Sequence, residues 1–230
     1  LADGVTGLAT AFAILAALRA REQTGRGQVV DTSLVEPLLA LLGPQVTAYA
    51  LLGELEPRTG NRSSHSAPRN VYRTADGAWV AVSASATSIA ERVMRLVGRP
   101  DLADQPWFAT GTGRVAHVDE VDEAVASWIA ARTRDEVLDA FERAEAAIAP
   151  IYDARDLVSD PHLAATGALR TIDDAELGPL LMTDVVSRLS ETPGRVEHPG
   201  GAHGQDTDAV FGALGVGADE LARLRQDGVV

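Results

Sequence analysis

The sequence predicts an α/β fold that opens helix–strand–helix and continues into a small α+β region with a β-hairpin and several helices. Three observations predict it. The first fifty residues alternate a helical apolar pattern, a short β-branched run and a second helical pattern. An Asp76-Gly77 pair stands between two short alternating runs. Two Ser/Thr-x-x-Glu signatures, Ser33 to Glu36 and Thr133 to Glu136, mark helix starts.

Taken in order, Asp3-Gly4-Val5-Thr6-Gly7 reads as a turn feeding a helix over residues 8–21. Its apolar residues Leu8, Phe12, Ile14, Leu15 and Leu18 surround the axis, as in a helix packed inside something larger. Gly25 supplies the stop. Residues 28–32 read as a strand, and Ser33 with Glu36 boxes the next helix. Residues 55–70 hold Pro57, Gly60, Asn61 and Pro68 with little apolar content, so they form a long surface loop and a boundary between two subdomains.

Beyond that loop, residues 71–74 and 78–83 make the hairpin. Thr87 caps a helix carrying Ile89, Val93 and Leu96, which Gly98 ends. Val118, Val121, Val125, Trp128 and Ile129 keep helical spacing. Thr133 opens a helix with Val137, Leu138 and Phe141. Residues 149–152 read as a strand, 156–166 as a helix broken by Pro161, and 169–190 as extended segments around Gly178-Pro179. A Gly/Pro/His loop over 193–204 leads to two small helices, 207–214 and 219–226. Trp79, Trp107 and Trp128 read as core, His162 and His203 as surface, and Asp119, Glu120, Asp122 and Glu123 as the wet face of their helix.

Composition narrows the chemistry. The 230 residues carry 33 Asp+Glu against 20 Lys+Arg, a formal charge of −13, and every cation is an arginine. Lysine Schiff bases and P-loop lysines are excluded, and so acidic a chain is not expected to partner nucleic acid or an anionic membrane. The absence of cysteine excludes disulfides, thiolate metal sites and cysteine nucleophiles. Five histidines (65, 117, 162, 198 and 203) form no metal-ligand spacing, so no metal is expected. The longest apolar run, residues 8–18, is shorter than the ~20 residues that span a bilayer, and no basic segment precedes it. No membrane association is expected, and the expected compartment is the cytoplasm. A first residue other than methionine, followed at once by a buried-looking helix, gives the expectation of a fragment or trimmed product.

Two places can carry chemistry. Asp3 stands at a helix entrance, where backbone N–H groups and the helix dipole favour an anion, and Gly4 and Gly7 allow another backbone or a ligand to come close. A carboxylate so placed can serve as a nucleophile. The alternative, which spacing alone favours, is an N-cap that stabilises the helix by ~1 kcal/mol. The second place is the loop of Asn61, Arg62, Ser63, Ser64, His65 and Ser66, flanked by Arg58, whose hydroxyls, imidazole and guanidiniums can close over a polar, anionic ligand. Its alternative is a solvated linker. Gly25-Arg26-Gly27 is too short a signal for a phosphate loop.

Several stretches, in order, resemble the class III CoA-transferases, a family that includes formyl-CoA and carnitine CoA-transferases and the alpha-methylacyl-CoA racemases. They are Asp3-x-x-Thr6-Gly7, Ile14-Leu15-Ala16-Ala17-Leu18, the run from Arg21 through Thr24-Gly25-Arg26-Gly27-Gln28-Val29-Val30-Asp31 to Ser33-Leu34, and Arg58-x-Gly60-Asn61-Arg62. Ser66-Ala67-Pro68, Tyr72, Asp76-Gly77, Gly98-Arg99-Pro100-Asp101-Leu102 and Asp160-Pro161-His162 follow. Leu189-Ser190-x-Thr192-Pro193-Gly194 and Gly204-Gln205-Asp206-Thr207 close the set.

The resemblance implies that Asp3 attacks an acyl-CoA thioester and passes through an acyl anhydride and an aspartyl-CoA thioester. It implies that the loop with Arg58, Asn61, Arg62, Ser64, His65 and Ser66 lies over that site, with Gly4 and Gly7 beside the nucleophile. Coenzyme A and carboxylic acids would be substrates, with no permanently bound cofactor. The family's Rossmann-like first half, with most CoA contacts and the histidine that the racemases use, has no counterpart here. The racemases also place an acidic residue where this chain has Ser83-Ala84-Ser85-Ala86, which favours a transferase; a racemase with Asp3 as base and a catalytically inert subunit are the alternatives. On this resemblance residues 1–54 end the first half of a large domain, 55–70 are linker and active-site loop, 71–166 the small domain, and 167–230 a segment returning to the large domain. An intertwined homodimer, or another chain with the missing half, is the implied partner.

Overall fold

A computed structural model describes all 230 residues as a mixed fold with small antiparallel sheets, in two compact units, Leu1–Pro150 and Ile151–Val230. The first unit begins with three helices, α1 (Ala2–Thr24), α2 (Val35–Leu41) and α3 (Gln45–Leu52). Helix α1 starts earlier than its apolar pattern, so Asp3 lies in the first turn rather than ahead of it, and Gly25 ends the helix at φ 71°. The β-branched residues 28–32 form no strand: without a neighbouring strand to accept their backbone groups they stay irregular. Ser33 and Glu36 do bond reciprocally, the Glu36 carboxylate accepting the Ser33 N–H at 3.3 Å and the Ser33 hydroxyl accepting the Glu36 N–H at 3.3 Å, although Leu34 holds the cap position of α2.

No residue of α1, α2 or α3 is buried. Leu8 is 77% exposed and Phe12 75%. Over its full 23 residues α1 is long and apolar enough to cross a membrane, although its longest uninterrupted apolar run is not. The core helix of a soluble protein has the same length and composition.

Residues 69–148 fold differently. Strands β1 (Arg69–Arg73) and β2 (Trp79–Ser83) pair antiparallel about the Asp76-Gly77 turn, with Tyr72 opposite Val80. Helices α4 (Thr87–Leu96), α5 (Pro100–Ala103), α6 (Gly111–Ala116), α7 (Val118–Ala130) and α8 (Arg134–Arg143) follow, and β3 (Ile148–Ile151) joins β2 as the third strand. Period-two burial turns Val80 and Val82 inward. They meet Ala90, Val93 and Met94 of α4, Val121, Val125 and Ile129 of α7, and Val137 and Phe141 of α8 in one apolar core.

Several expectations change in this region. Thr87 does not cap α4; Ala86 holds the cap position, and the Thr87 hydroxyl donates to the Ala109 carbonyl at 3.1 Å. Trp79 faces away from the core and is 46% exposed, because only even positions of β2 point inward. Helices α5 and α6 and a 3₁₀ turn at Pro106–Ala109 are too short to show an apolar period. The Thr133–Glu136 capping box forms as expected. Asp76 ties the hairpin turn to α8 by accepting the Arg134 N–H at 3.2 Å.

In the second unit the expected break at Pro161 separates α9 (Ala154–Ser159), which starts two residues earlier than expected, from α10 (Pro161–Thr166), which Pro161 opens and Asp160 caps. Strands β4 (Leu169–Asp174) and β5 (Gly178–Thr183) form a hairpin, and α11 (Thr207–Ala213) and α12 (Ala218–Gln226) close the chain. Only Leu221 is buried there among apolar residues.

Candidate active site

The polar loop is held, not merely solvated. The Thr59 hydroxyl donates to the Arg62 carbonyl at 2.7 Å, and Gly60 takes the positive φ of 67° that this turn requires. The Arg62 guanidinium then crosses to α7. Its Nε donates to Asp122 Oδ2 at 2.7 Å and a terminal nitrogen donates to Asp119 Oδ1 at 2.8 Å. Asp122 also accepts from Asn70 Nδ2 at 2.8 Å and from the Tyr72 hydroxyl at 2.7 Å. Its side chain is only 7% exposed, so three donors, one of them cationic, replace the water it loses.

This corrects the wet-face reading of the acidic run. Asp119, Glu120 and Glu123 are exposed, but Asp122 is buried. Spacing alone held the signal, since Asp122 follows Val118 by four residues and precedes Val125 by three, on the apolar stripe. Burial, followed by the Asp122 charge, pushes the Tyr72 hydroxyl well above the usual tyrosine range. Hydrogen bonding to Asp119 is the leading cause that raises the Arg62 guanidinium.

Arg114, which no sequence pattern marks, secures the far end of the same loop. It is fully buried. Its Nε donates to the Ala67 carbonyl at 2.6 Å, and its terminal nitrogens to the carbonyls of Phe108 at 2.9 Å and Ser85 at 2.8 Å. All three are neutral acceptors, and burial lowers the pKa of this guanidinium. Phe108 lies beneath it at 5.4 Å.

The apex is looser. Ser63 and Ser64 are half-buried, and the Ser66 hydroxyl is 3.4 Å from that of Ser85. The His65 side chain is 80% exposed, with Nε2 at 3.7 Å from Glu56 Oε1. It borders an open cavity of about 740 Å³ shared with Leu42, Ala48, Glu54 and Leu55. Arg58 and Asn61 are exposed. Asp3 is exposed too, and no hydrogen bond or ion pair joins it to the loop. A side chain at Gly4 or Gly7 would meet open space, so nothing within the chain uses the close approach these glycines permit. No group of three or more His, Asp or Glu side chains gathers as a metal site would need.

Known proteins resemble this chain along its length. The chain is 37% identical to the succinyl-CoA–D-citramalate CoA-transferase of Chloroflexus aurantiacus, over all of this chain and 58% of that protein. It is 34% identical to the alpha subunit of succinyl-CoA–L-malate CoA-transferase from the same organism, over all of this chain and 54% of the subunit. The chain thus spans little more than half the length of these relatives. The crystal structure of a CAIB/BAIF family protein from Brucella suis superposes with a TM-score of 0.74 at 25% identity, covering 93% of this chain and 55% of that one. The model of CoA-transferase family III matches residues 1–207, and the chain belongs to that family.

Proposed function

We propose that this chain works in the transfer of coenzyme A between carboxylic acids, with Asp3 as the covalent nucleophile. The observation that carries the reading is 37% identity along the entire chain to a protein named as a CoA-transferase. The relatives from Chloroflexus aurantiacus are named for succinyl-CoA, so a dicarboxylic acyl-CoA is the donor to try first.

In this reading a carboxylate oxygen of Asp3 attacks the donor's thioester carbonyl. The C–S bond breaks, and CoA leaves as a thiolate while a mixed anhydride forms. The thiolate attacks the aspartyl carbonyl, expelling the first acid and forming an aspartyl-CoA thioester. The acceptor carboxylate attacks that thioester and expels the thiolate, which then takes the acceptor acyl group and regenerates Asp3. Every step exchanges one acyl bond for another and needs no resident cofactor. Exposure of Asp3 is consistent with a group that must meet its substrate, and the backbone N–H groups of the first helical turn are donors for a developing oxyanion. Arg58, exposed, is the guanidinium left to meet an anionic part of the ligand, since Arg62 is engaged by Asp119 and Asp122.

The remaining CoA contacts come in this reading from protein outside these residues, either in a homodimer or from a separate chain. The test is Asp3→Ala in the intact protein with succinyl-CoA and a hydroxy-dicarboxylate acceptor. Transfer is expected to vanish, and the wild type is expected to yield an acyl or CoA adduct on the peptide containing Asp3. Unchanged turnover in the variant ends the reading.

A further inference from the structure

The loop of residues 61–68 is fastened to one short stretch of chain, residues 111–122, at three points. Asp122 grips Arg62 at the loop's start. Arg114 grips the Ala67 carbonyl near its end. Between them the His65 carbonyl lies so close to Gly111 that a Cβ there would stand 2.6 Å from it, too near for any other residue without moving backbone. Ser63, Ser64 and His65 lie between these fixed ends, and the His65 N–H is satisfied within the loop by the Ser63 hydroxyl at 3.1 Å.

We infer that Asp122 is a positioning residue for the transfer reaction: acting through Arg62, it sets the loop of Ser63, Ser64 and His65 in place for catalysis. This rests on the proposed function and on the loop lying over its site, as the family resemblance implies. The cluster's chemistry favours a strut over a ligand site. Both Arg62 contacts to α7 are charge-assisted and close, and Asp122 receives neutral donors from β1 as well, so the anchor point is rigid. An arginine held this way transmits geometry and has little capacity left for a phosphate or carboxylate.

The decisive experiment compares Asp122→Asn, Arg62→Gln, the double variant and Asp3→Ala in the intact protein. Assays follow kcat, KM for the acyl-CoA, the ratio of hydrolysis to transfer, and thermal melting. Each single variant is expected to lower kcat by about 100-fold, the scale of an ångström-sized misplacement. KM is expected to change by less than about threefold. Hydrolysis is expected to rise relative to transfer, and the double variant to be no slower than the slower single one, because both changes cut one linkage. Arg62→Lys is expected to recover part of the loss.

Wild-type kcat in a folded Asp122→Asn protein overturns the inference, as do losses that multiply in the double variant or lie wholly in KM. Should Asp122→Asn fail to fold, Arg62→Gln decides alone, because Arg62 is partly exposed and outside the apolar core. An inactive Asp3→Ala beside a normal Asp122→Asn refutes only the anchor; an active Asp3→Ala refutes the nucleophile instead.

Discussion

Residues 1–53 and residues 69–148 are both built largely from helices but differ in what their apolar side chains touch. In the later stretch Val93, Val121, Val125, Ile129, Val137 and Phe141 are completely buried against one another. In the earlier one Leu8, Phe12, Leu15 and Leu51 stand in the open. The comparison teaches that a helix pattern and a core are separate achievements. The later stretch satisfies its own apolar faces and so can hold a loop by buried charges, whereas the earlier one, which carries Asp3, leaves its apolar faces open within this chain.

The largest expected effect lies at Asp3. On the proposed function, Asp3→Ala in the intact protein is expected to lower kcat by at least about 10⁴-fold, as loss of a covalent nucleophile does, with little change in melting temperature. A steady-state assay with parallel calorimetry checks both.

Next comes the contrast in stability. For the 230-residue chain, Phe141→Ala is expected to cost about 3–5 kcal/mol by opening a cavity, and Phe12→Ala less than about 0.5 kcal/mol. Denaturant titration measures both. Equal costs would erase the distinction between the two stretches.

Alkaline titration sharpens the comparison further. The Tyr72 hydroxyl ionises at a higher pH folded than unfolded, so its contribution is fully present below the ordinary value of 10.0 and is lost as pH rises above it. Midpoints of unfolding are expected to fall more steeply above pH 10.0 in the wild type than in Tyr72→Phe. Parallel slopes would mean that Tyr72 does not hold its proton against Asp122. A smaller loss than at Phe141 is expected at Thr133, where alanine removes the capping box of α8 at a cost of about 1 kcal/mol by the same titration.

Much of this was legible from the residues, for identifiable reasons. Gly25, the Asp76-Gly77 turn, the Thr133–Glu136 box and the break at Pro161 are local signals, and each was written in neighbouring residues. Residues 28–32 misled because a β-branched run specifies a strand only when another strand accepts its hydrogen bonds. The loop was found by composition, but its fastening was not. Asp122 lies 60 residues from Arg62 and 50 from Tyr72, and no local pattern announces a partner at that distance. Arg114 sits in a helix of six residues, shorter than two turns, where periodicity has nothing to count.

The near-touch between Gly111 and the His65 carbonyl has a consequence for divergence. Position 111 admits no methyl group unless the backbone of the neighbouring loop retreats, so the two sites cannot drift separately. A relative bearing alanine there is expected to carry shifted backbone on one side of the contact, and grafting one side without the other would transplant a misfit.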